Sequence, residues 1–186
     1  IERYHHAGDN RASEQPLFAQ RGLFRIPACP TRKETTMSEL HPIIAITGSS
    51  GAGTTSVTRT FANMLRREHV NAAIIEGDSF HRYDRKAMRA AMAEADKDGQ
   101  SHFSHFGHEA NLFAELETLF ADYAAHGTGK RRKYLHDVAE AQPYKQEPGT
   151  FTAWEDLPPS DLLYYEGLHG AVVHEGIDIA KHPDLL

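Results

Sequence analysis

The 186-residue sequence lacks the features that mark several large classes of protein. Its single cysteine, Cys29, cannot form an internal disulfide bond and fits the reducing environment of the cytoplasm. No apolar run approaches the length of a membrane span and no signal-peptide pattern opens the chain, so we expect a cytoplasmic protein without a membrane partner. The formal net charge of −6 leaves no broad basic surface, which argues against general binding of nucleic acid.

The two ends of the chain differ from its middle. Residues 1–36 lack sustained periodicity, and Met37 stands just before the first predicted strand. We interpret residues 1–36 as a disordered or non-native extension; a targeting peptide is the alternative, which the acidic residues of this segment disfavour. The apolar ending Asp184–Leu186 resembles the start of another strand, so we expect residues 37–186 to form the first part of a domain whose sheet is incomplete.

Between these ends, short apolar runs alternate with helical patterns. The apolar runs predict buried strands over Pro42–Thr47, Ala72–Ile75 and Ser160–Glu166. Helical spacing or propensity predicts helices after each of the first two strands and over Leu112–Tyr123, the last ended by Gly127. This alternation predicts an α/β fold like that of P-loop NTPases, with a doubly wound, mostly parallel sheet, flanking helices and ligands at the carboxyl ends of the strands.

A glycine-rich segment follows the first predicted strand and opens a helix, as a phosphate-binding P-loop does. It matches G-x-x-x-x-G-K-[ST] at both glycines and at its last hydroxyl, but it has threonine in place of the lysine. The predicted ATP- and phosphate-binding residues are Gly48, Ser49, Ser50, Gly51, Ala52, Gly53, Thr54, Thr55 and Ser56.

Carboxylates follow the other two predicted strands. Asp78 comes just after the second strand, where a carboxylate is suited to accept a proton from an attacking hydroxyl. His81, Arg82 and Arg85 follow it and are suited to bind a second anion; a helix-capping aspartate with a solvated basic flank is the alternative. Glu166 ends the third strand in a Walker B-like pattern that helps to hold Mg²⁺.

Two further clusters leave alternatives open. His102, His105 and His108 are spaced by three, which suggests either a zinc site or, as we favour, a substrate-facing loop. The basic run Lys130–Lys133 is typical of solvated surface, of a nucleic-acid patch, or of cations near a sugar-phosphate pocket. Trp154 is most simply a packing residue.

Five segments, in this order along the chain, resemble those of the bacterial type of phosphoribulokinase. They are Gly48–Thr55, Glu76–Arg82, Phe103–Phe106, Tyr134–Asp137 and Tyr164–Gly170. The similarity covers residues 37–186, and the bacterial type also carries threonine at the position of the P-loop lysine. The resemblance implies the N-terminal part of a P-loop phosphoribulokinase domain that uses ATP and Mg²⁺ to phosphorylate D-ribulose 5-phosphate to ribulose 1,5-bisphosphate in Calvin cycle carbon fixation.

The same resemblance implies roles for individual residues. Asp78 is the implied base for the C1 hydroxyl, and His81, Arg85 and His136 are the implied contacts to the sugar phosphate. Thr55 and Glu166 are the implied Mg²⁺ residues.

The resemblance also implies regulation. Arg67 matches an arginine tied to allosteric control, with NADH as activator and AMP as inhibitor of a homo-oligomer of the full-length protein. Thioredoxin control is not expected, because the plant type has a P-loop cysteine where this chain has Ala52.

Two rival functions remain. One is a uridine- or pantothenate-type kinase, which shares the strand–loop–helix arrangement and the aspartate; the other is a non-catalytic nucleotide-binding module. We expect the 186-residue chain by itself to have negligible kinase activity, because little offsets the charge on a transferred phosphoryl group.

Overall fold

A computed structural model describes residues 40–49, 52–100 and 102–186 of the chain. Several interpretations made from the sequence concern positions outside these ranges: residues 1–36, Cys29, Met37, Ser50 and Gly51. The side chain of Thr55 also lies outside what the structure describes.

The described chain alternates between strands and helices. In chain order the elements are β1 Ile43–Thr47, α1 Thr54–Arg67, β2 Ala72–Glu76, α2 Arg85–Lys97, α3 Phe113–His126, β3 Lys130–Arg131, α4 Val138–Ala141, β4 Glu155–Asp156, β5 Leu162–Gly167, β6 Val173–His174 and β7 Ile177–Asp178. The central sheet has the strand order β1-β5-β2, with both pairs parallel. β3–β4 and β6–β7 are two-residue antiparallel pairs.

Helices cover both faces of this sheet. Tyr164 and Tyr165 are consecutive residues of β5, so their side chains point to opposite faces. Phe61 of α1 packs against Tyr164, with ring centroids 5.6 Å apart, and Phe120 of α3 packs edge-on against Tyr165 at 5.5 Å. The predicted doubly wound α/β fold is therefore confirmed.

The three predicted strands agree with the observed ones to within two residues, and the third predicted helix extends three residues further, to His126. Helix α3 ends at Gly127, whose φ of 66° lies in the left-handed region that glycine adopts easily. Strand β5 begins later than Ser160 because Asp161 and Asn71 exchange two 2.8 Å hydrogen bonds just before the ladder. In the part of the chain that the structure describes, every helix is too short or too polar to span a bilayer.

The second edge of β1 also has a neighbour. Leu185 forms a parallel bridge with Ile44, and its carbonyl oxygen accepts a 2.8 Å hydrogen bond from the Ala45 N–H. The carboxylate of Asp184 accepts another from the Ile43 N–H at 2.8 Å. β1 is therefore hydrogen-bonded on both sides, and the glycine-rich loop starts from the carboxyl end of an interior strand.

Candidate active site

The glycine-rich loop turns sharply between β1 and α1. The Gly48 N–H donates to the Gly167 carbonyl at 3.2 Å, which fixes the start of the loop against β5. Gly53 precedes α1 with a φ of 85°, and its carbonyl accepts from Ser56 N–H and Val57 N–H at 2.9 and 3.2 Å. The positive end of a fourteen-residue helix therefore lies at the loop, where it favours bound phosphate.

A cavity of about 360 Å³ lies at the carboxyl ends of the strands. Gly48, Ser49 and Thr54 of the loop line it. Ala52, Gly53 and Ser56 belong to the loop or the first helical turn but are not among its lining residues.

Three carboxylates line the same cavity. Glu76 ends β2, Asp78 lies in the short turn that follows, and Glu166 lies near the end of β5. Glu76 and Glu166 are opposite each other in the parallel register. The structure thus brings the loop, Asp78 and Glu166 to one rim, although the residues are far apart in the sequence.

Asp78 is held between two histidines. Its Oδ1 lies 3.3 Å from His81 Nε2, and its Oδ2 lies 3.8 Å from His136 Nε2. The hydrogen bond to His81 lowers the pKa of Asp78 below its usual value, against the opposing effect of burial. Asp78 is therefore ionised at neutral pH, with Oδ2 as its less engaged oxygen.

Asn111 fixes the protonation of His81. Its side-chain nitrogen donates to the carbonyl oxygens of His105 and Gly107 at 2.9 and 2.7 Å, so its Oδ1 faces His81 Nδ1 at 2.8 Å as an acceptor. His81 Nδ1 must then carry a proton, and Nε2 faces the Asp78 carboxylate. Burial opposes protonation of His81, but the hydrogen bonds to Asp78 and Asn111 outweigh it and raise the pKa of His81.

Arg85 and His136 lie beside this pair. Arg85 Nη2 donates to the His136 carbonyl at 2.8 Å, which ties the start of α2 to the loop that carries His136. His81, Arg85 and Tyr134 are among the residues lining a second cavity of about 260 Å³. Asp78 and His81 therefore contact each other where the two cavities approach.

Arg82 makes two hydrogen bonds to the main chain. Its Nε donates to the Glu109 carbonyl at 3.0 Å and its Nη2 to the Asn111 carbonyl at 3.3 Å. These bonds join the Asp78 turn to the segment before α3. Two donors of the Arg82 guanidinium are therefore used on main-chain oxygens, and its binding of an anion stays a prediction.

Glu76 is a site residue to which the sequence assigned no role. Within the described ranges its buried Oε2 has no hydrogen-bond partner, and burial raises the pKa of this carboxyl. Carboxylate oxygens are the donors that Mg²⁺ prefers, and the cavity carries three such side chains. Among the described residues no three such side chains converge on one point, so their chemistry fits a divalent cation whose other ligands come from a bound nucleotide and water.

The residues of the basic run and of the histidine cluster do not line the cavity at the glycine-rich loop. Lys130 and Arg131 pair with Asp156 and Glu155 across β3–β4, at 3.3 and 2.9 Å, as surface ion pairs. The ring of His105 lies 6.2 Å from that of His81, and the His108 ring lies 4.4 Å from that of His174. In residues 40–49, 52–100 and 102–186, no group of three or more ligating side chains is placed to hold a metal ion.

Arg67 lies away from the site. It is the last residue of α1, whose fourteen residues separate it from the loop by about 20 Å at 1.5 Å per residue. The structure does not bring it to the cavity.

Known proteins are similar to this chain over most of its length. Residues 43–186 match the sequence profile of the phosphoribulokinase/uridine kinase family. The chain is 64% identical over 151 residues to the chromosomal phosphoribulokinase of Cupriavidus necator, covering 81% of this chain and 52% of that protein. It is 59% identical over 150 residues to the phosphoribulokinase of Nitrobacter vulgaris, covering 80% and 52%.

Solved structures agree with this match. The phosphoribulokinase from Rhodobacter spheroides superposes with a TM-score of 0.69 at 45% identity, covering 78% of this chain and 50% of that one. A possible uridine kinase from Bacillus stearothermophilus superposes with a TM-score of 0.52 at 13% identity over 81% of this chain and 71% of that one, and so shares the fold. The chain spans about half the length of the curated relatives that it matches.

Proposed function

The chain belongs to the phosphoribulokinase/uridine kinase family, and on this premise we propose that it carries the nucleotide and acceptor sites of a phosphoribulokinase. The proposed reaction transfers the γ-phosphoryl group of ATP to a hydroxyl of D-ribulose 5-phosphate, in line and with Asp78 as the base. One observation carries the proposal: Asp78 lies between a cavity lined by the glycine-rich loop and a cationic His81–Arg85 cavity.

Asp78 receives the proton of the acceptor hydroxyl in this proposal. His81 holds Oδ1 at 3.3 Å, which leaves Oδ2, 3.8 Å from His136, as the oxygen that accepts. The lowered pKa of Asp78 makes it a weak base but keeps it ionised. That suffices for a loose phosphoryl-transfer transition state, in which positioning contributes more than basicity.

His81, Arg85 and His136 hold the phosphate of the sugar. The raised pKa of His81 favours its cationic form, and the Arg85 guanidinium is permanently charged. His81 lines the second cavity and also contacts Asp78. A sugar phosphate bound in that cavity would therefore put the far end of the five-carbon sugar near Asp78. Uridine and pantothenate carry no phosphate to occupy this cationic cavity.

Mg²⁺ and ATP would bind on the loop side. Glu166 and the hydroxyl of Thr55 are the proposed Mg²⁺ residues, and the metal supplies positive charge to the phosphate oxygens. Glu76 and Asp78 lie within the same cavity and add negative charge that favours a bound cation. Regulation by NADH and AMP through Arg67, in a homo-oligomer, belongs to the same proposal.

A substrate panel tests the proposed acceptor. Ribulose 5-phosphate, uridine and pantothenate are each added with Mg²⁺ and ATP, and ADP release is measured beside calorimetric binding. Binding is included because the chain spans half the length of its relatives. We expect binding of ribulose 5-phosphate alone among the three; preferential binding or phosphorylation of uridine or pantothenate would refute the acceptor assignment.

Asp78→Asn tests the base. Turnover, measured in a full-length version of the protein, should fall by about 10²–10⁴-fold, the range of general-base contributions, with ATP affinity nearly unchanged. Asp122→Asn, on the exposed face of α3, is the matched control and should leave both unchanged. Turnover that survives Asp78→Asn would show that another group takes the proton.

A further inference from the structure

The guanidinium of Arg132 points into the protein and binds the turn that carries Asp78. Its Nε donates to the Ser79 carbonyl at 2.8 Å and its Nη2 to the His81 carbonyl at 2.5 Å. Its partners are thus main-chain oxygens on either side of Phe80. This separates it from Arg131, its neighbour in sequence, which pairs with a surface carboxylate.

Aromatic side chains hold the guanidinium in place. Its central carbon lies 3.7 Å from the ring centroid of Phe151 and 4.7 Å from that of Trp154. Trp154 in turn contacts Phe80 edge-on at 5.6 Å. Burial of this group lowers the pKa of Arg132, but an arginine stays charged at neutral pH. The planar cation is therefore stacked and oriented toward both carbonyls.

The opposite flank of the turn is held by the segment before α3. The Phe80 carbonyl accepts from Leu112 N–H at 2.8 Å, and Arg82 N–H donates to the Ala110 carbonyl at 2.8 Å. Three successive carbonyls, from residues 79 to 81, are therefore each fixed by a donor. Without Arg132, only the Phe80 carbonyl keeps its donor. The main chain that holds Asp78 and His81 3.3 Å apart is then no longer fixed by hydrogen bonds at residues 79 and 81.

We propose that Arg132 is the positioning residue of the Asp78–His81 turn. It acts through the main chain and touches neither nucleotide nor sugar. Its effect on phosphoryl transfer rests on the function proposed above, whereas its hold on the turn does not. A displacement of about 1 Å in a reacting group is enough to slow a reaction about a hundredfold, so this clamp bears directly on Asp78.

The test compares Arg132→Ala and Arg132→Lys with Arg131→Ala as the matched control. Amide hydrogen exchange is followed at His81, Arg82 and Leu112, and at Leu163 in β5 as the internal reference. Both Arg132 variants should speed exchange at the three turn reporters by about tenfold or more relative to Leu163. Lysine should not restore protection, because one ammonium cannot present two N–H groups in a planar fork.

Added guanidinium ion gives a second readout that a general loss of stability would not reproduce. Arg132→Ala leaves a space beside Phe151 and Trp154 that is still lined by the Ser79 and His81 carbonyls. Guanidinium ion that binds in this space should slow amide exchange at the turn again. Trp154 is the single tryptophan of the chain, so its fluorescence should report the same binding. Sodium ion at equal ionic strength should do neither.

Two results would overturn the proposal. One is exchange that rises equally at Leu163 and at the turn in Arg132→Ala, without rescue by guanidinium. The other is turn exchange in both Arg132 variants that matches Arg131→Ala. Where the enzyme turns over ribulose 5-phosphate, we expect kcat to fall about a hundredfold with KM for ATP unchanged. Absence of turnover in an unaltered full-length version would count against the proposed function, and exchange and rescue would still decide the role of Arg132.

Discussion

Replacement of Asn111 by leucine should remove the hydrogen bond to His81 Nδ1 and lower the pKa of His81. Asn111 is 2% exposed and makes three hydrogen bonds, one to the His81 ring and two to carbonyl oxygens. Leucine has a similar volume but no polar atoms. The substitution therefore leaves the His105 and Gly107 carbonyls and the His81 Nδ1–H without these partners while the cavity stays filled.

The expected loss of stability follows from the His105 carbonyl and the His81 Nδ1–H, because the Gly107 carbonyl still accepts from the Ala110 N–H at 3.2 Å. A buried polar group without a partner costs about 1–3 kcal/mol. The carbonyls belong to the segment 105–107, where exposed residues allow water to replace part of the loss. Taking the low end for each of the two groups gives a fall in the free energy of unfolding of about 2 kcal/mol.

Part of this loss should depend on pH. The folded state raises the pKa of His81 above 6.5, so the stability that its charged form contributes is fully present below that pH and is lost as pH rises through the raised pKa. Hydrogen bonds to a charged group contribute about 1 kcal/mol more than neutral ones. The loss in Asn111→Leu should therefore be about 1 kcal/mol larger near pH 6 than near pH 9.

Urea unfolding at both pH values measures this difference, and NMR titration, assigned with His81→Gln, measures the pKa of His81. The pKa of His81 should fall in Asn111→Leu. Asn71→Leu is the matched control, because the Asn71 side chain also donates to a carbonyl, that of Pro159, at 2.8 Å, but contacts no histidine there. A loss that is equal at both pH values, with an unchanged His81 pKa, would refute the assignment of Asn111.

Two further substitutions test the sugar side and the nucleotide side of the site. Gly149→Ala would add a Cβ 2.7 Å from Arg85 Cβ at a φ of +86°, and calorimetry should show about tenfold weaker binding of ribulose 5-phosphate. Gly176→Ala has a φ of +89° and nothing within 4 Å, so it should carry the same strain without that loss; equal losses would contradict the role of Arg85. Thr54→Lys would put a cation in the cavity lined by three carboxylates, and Mg²⁺-free ATP should bind about tenfold or more tightly. Val57→Lys, one turn later and 39% exposed, is the control; equal effects of the two lysines would show that the cavity is not the ATP site.

Local patterns predicted most of the fold. The apolar runs gave three strands within two residues of their observed ends, and Gly127 ended α3 as expected. Parallel strands align their carboxyl ends, so the shared rim of the glycine-rich loop, Asp78 and Glu166 also followed from the order of elements. These features depend on neighbours in the sequence or on a general rule of topology.

The residues that support the site could not be predicted in this way. Asn111 contacts a histidine thirty residues away, and Arg132 binds a turn more than fifty residues away. Arg132 belongs to a basic run whose first two members make surface ion pairs. The sequence of this run does not show that Arg132 makes different contacts from Lys130 and Arg131. Only packing of the aromatic residues turns its guanidinium inward.

The cavity at the glycine-rich loop and the second cavity differ in charge. Among the described residues that line the 360 Å³ cavity there are three carboxylates and one histidine, but no lysine or arginine. Most P-loops place a lysine at the position of Thr54, where it neutralises phosphate oxygens. Here the permanent cations Arg85 and Arg89 line the second cavity, beyond Asp78. In the proposed reaction a metal ion would therefore accompany the nucleotide phosphates on the loop side, whereas the sugar phosphate would be attracted to the His81–Arg85 side without one. In the proposed reaction Asp78 would face the acceptor hydroxyl rather than the nucleotide, and the missing lysine would be part of what orients the transfer.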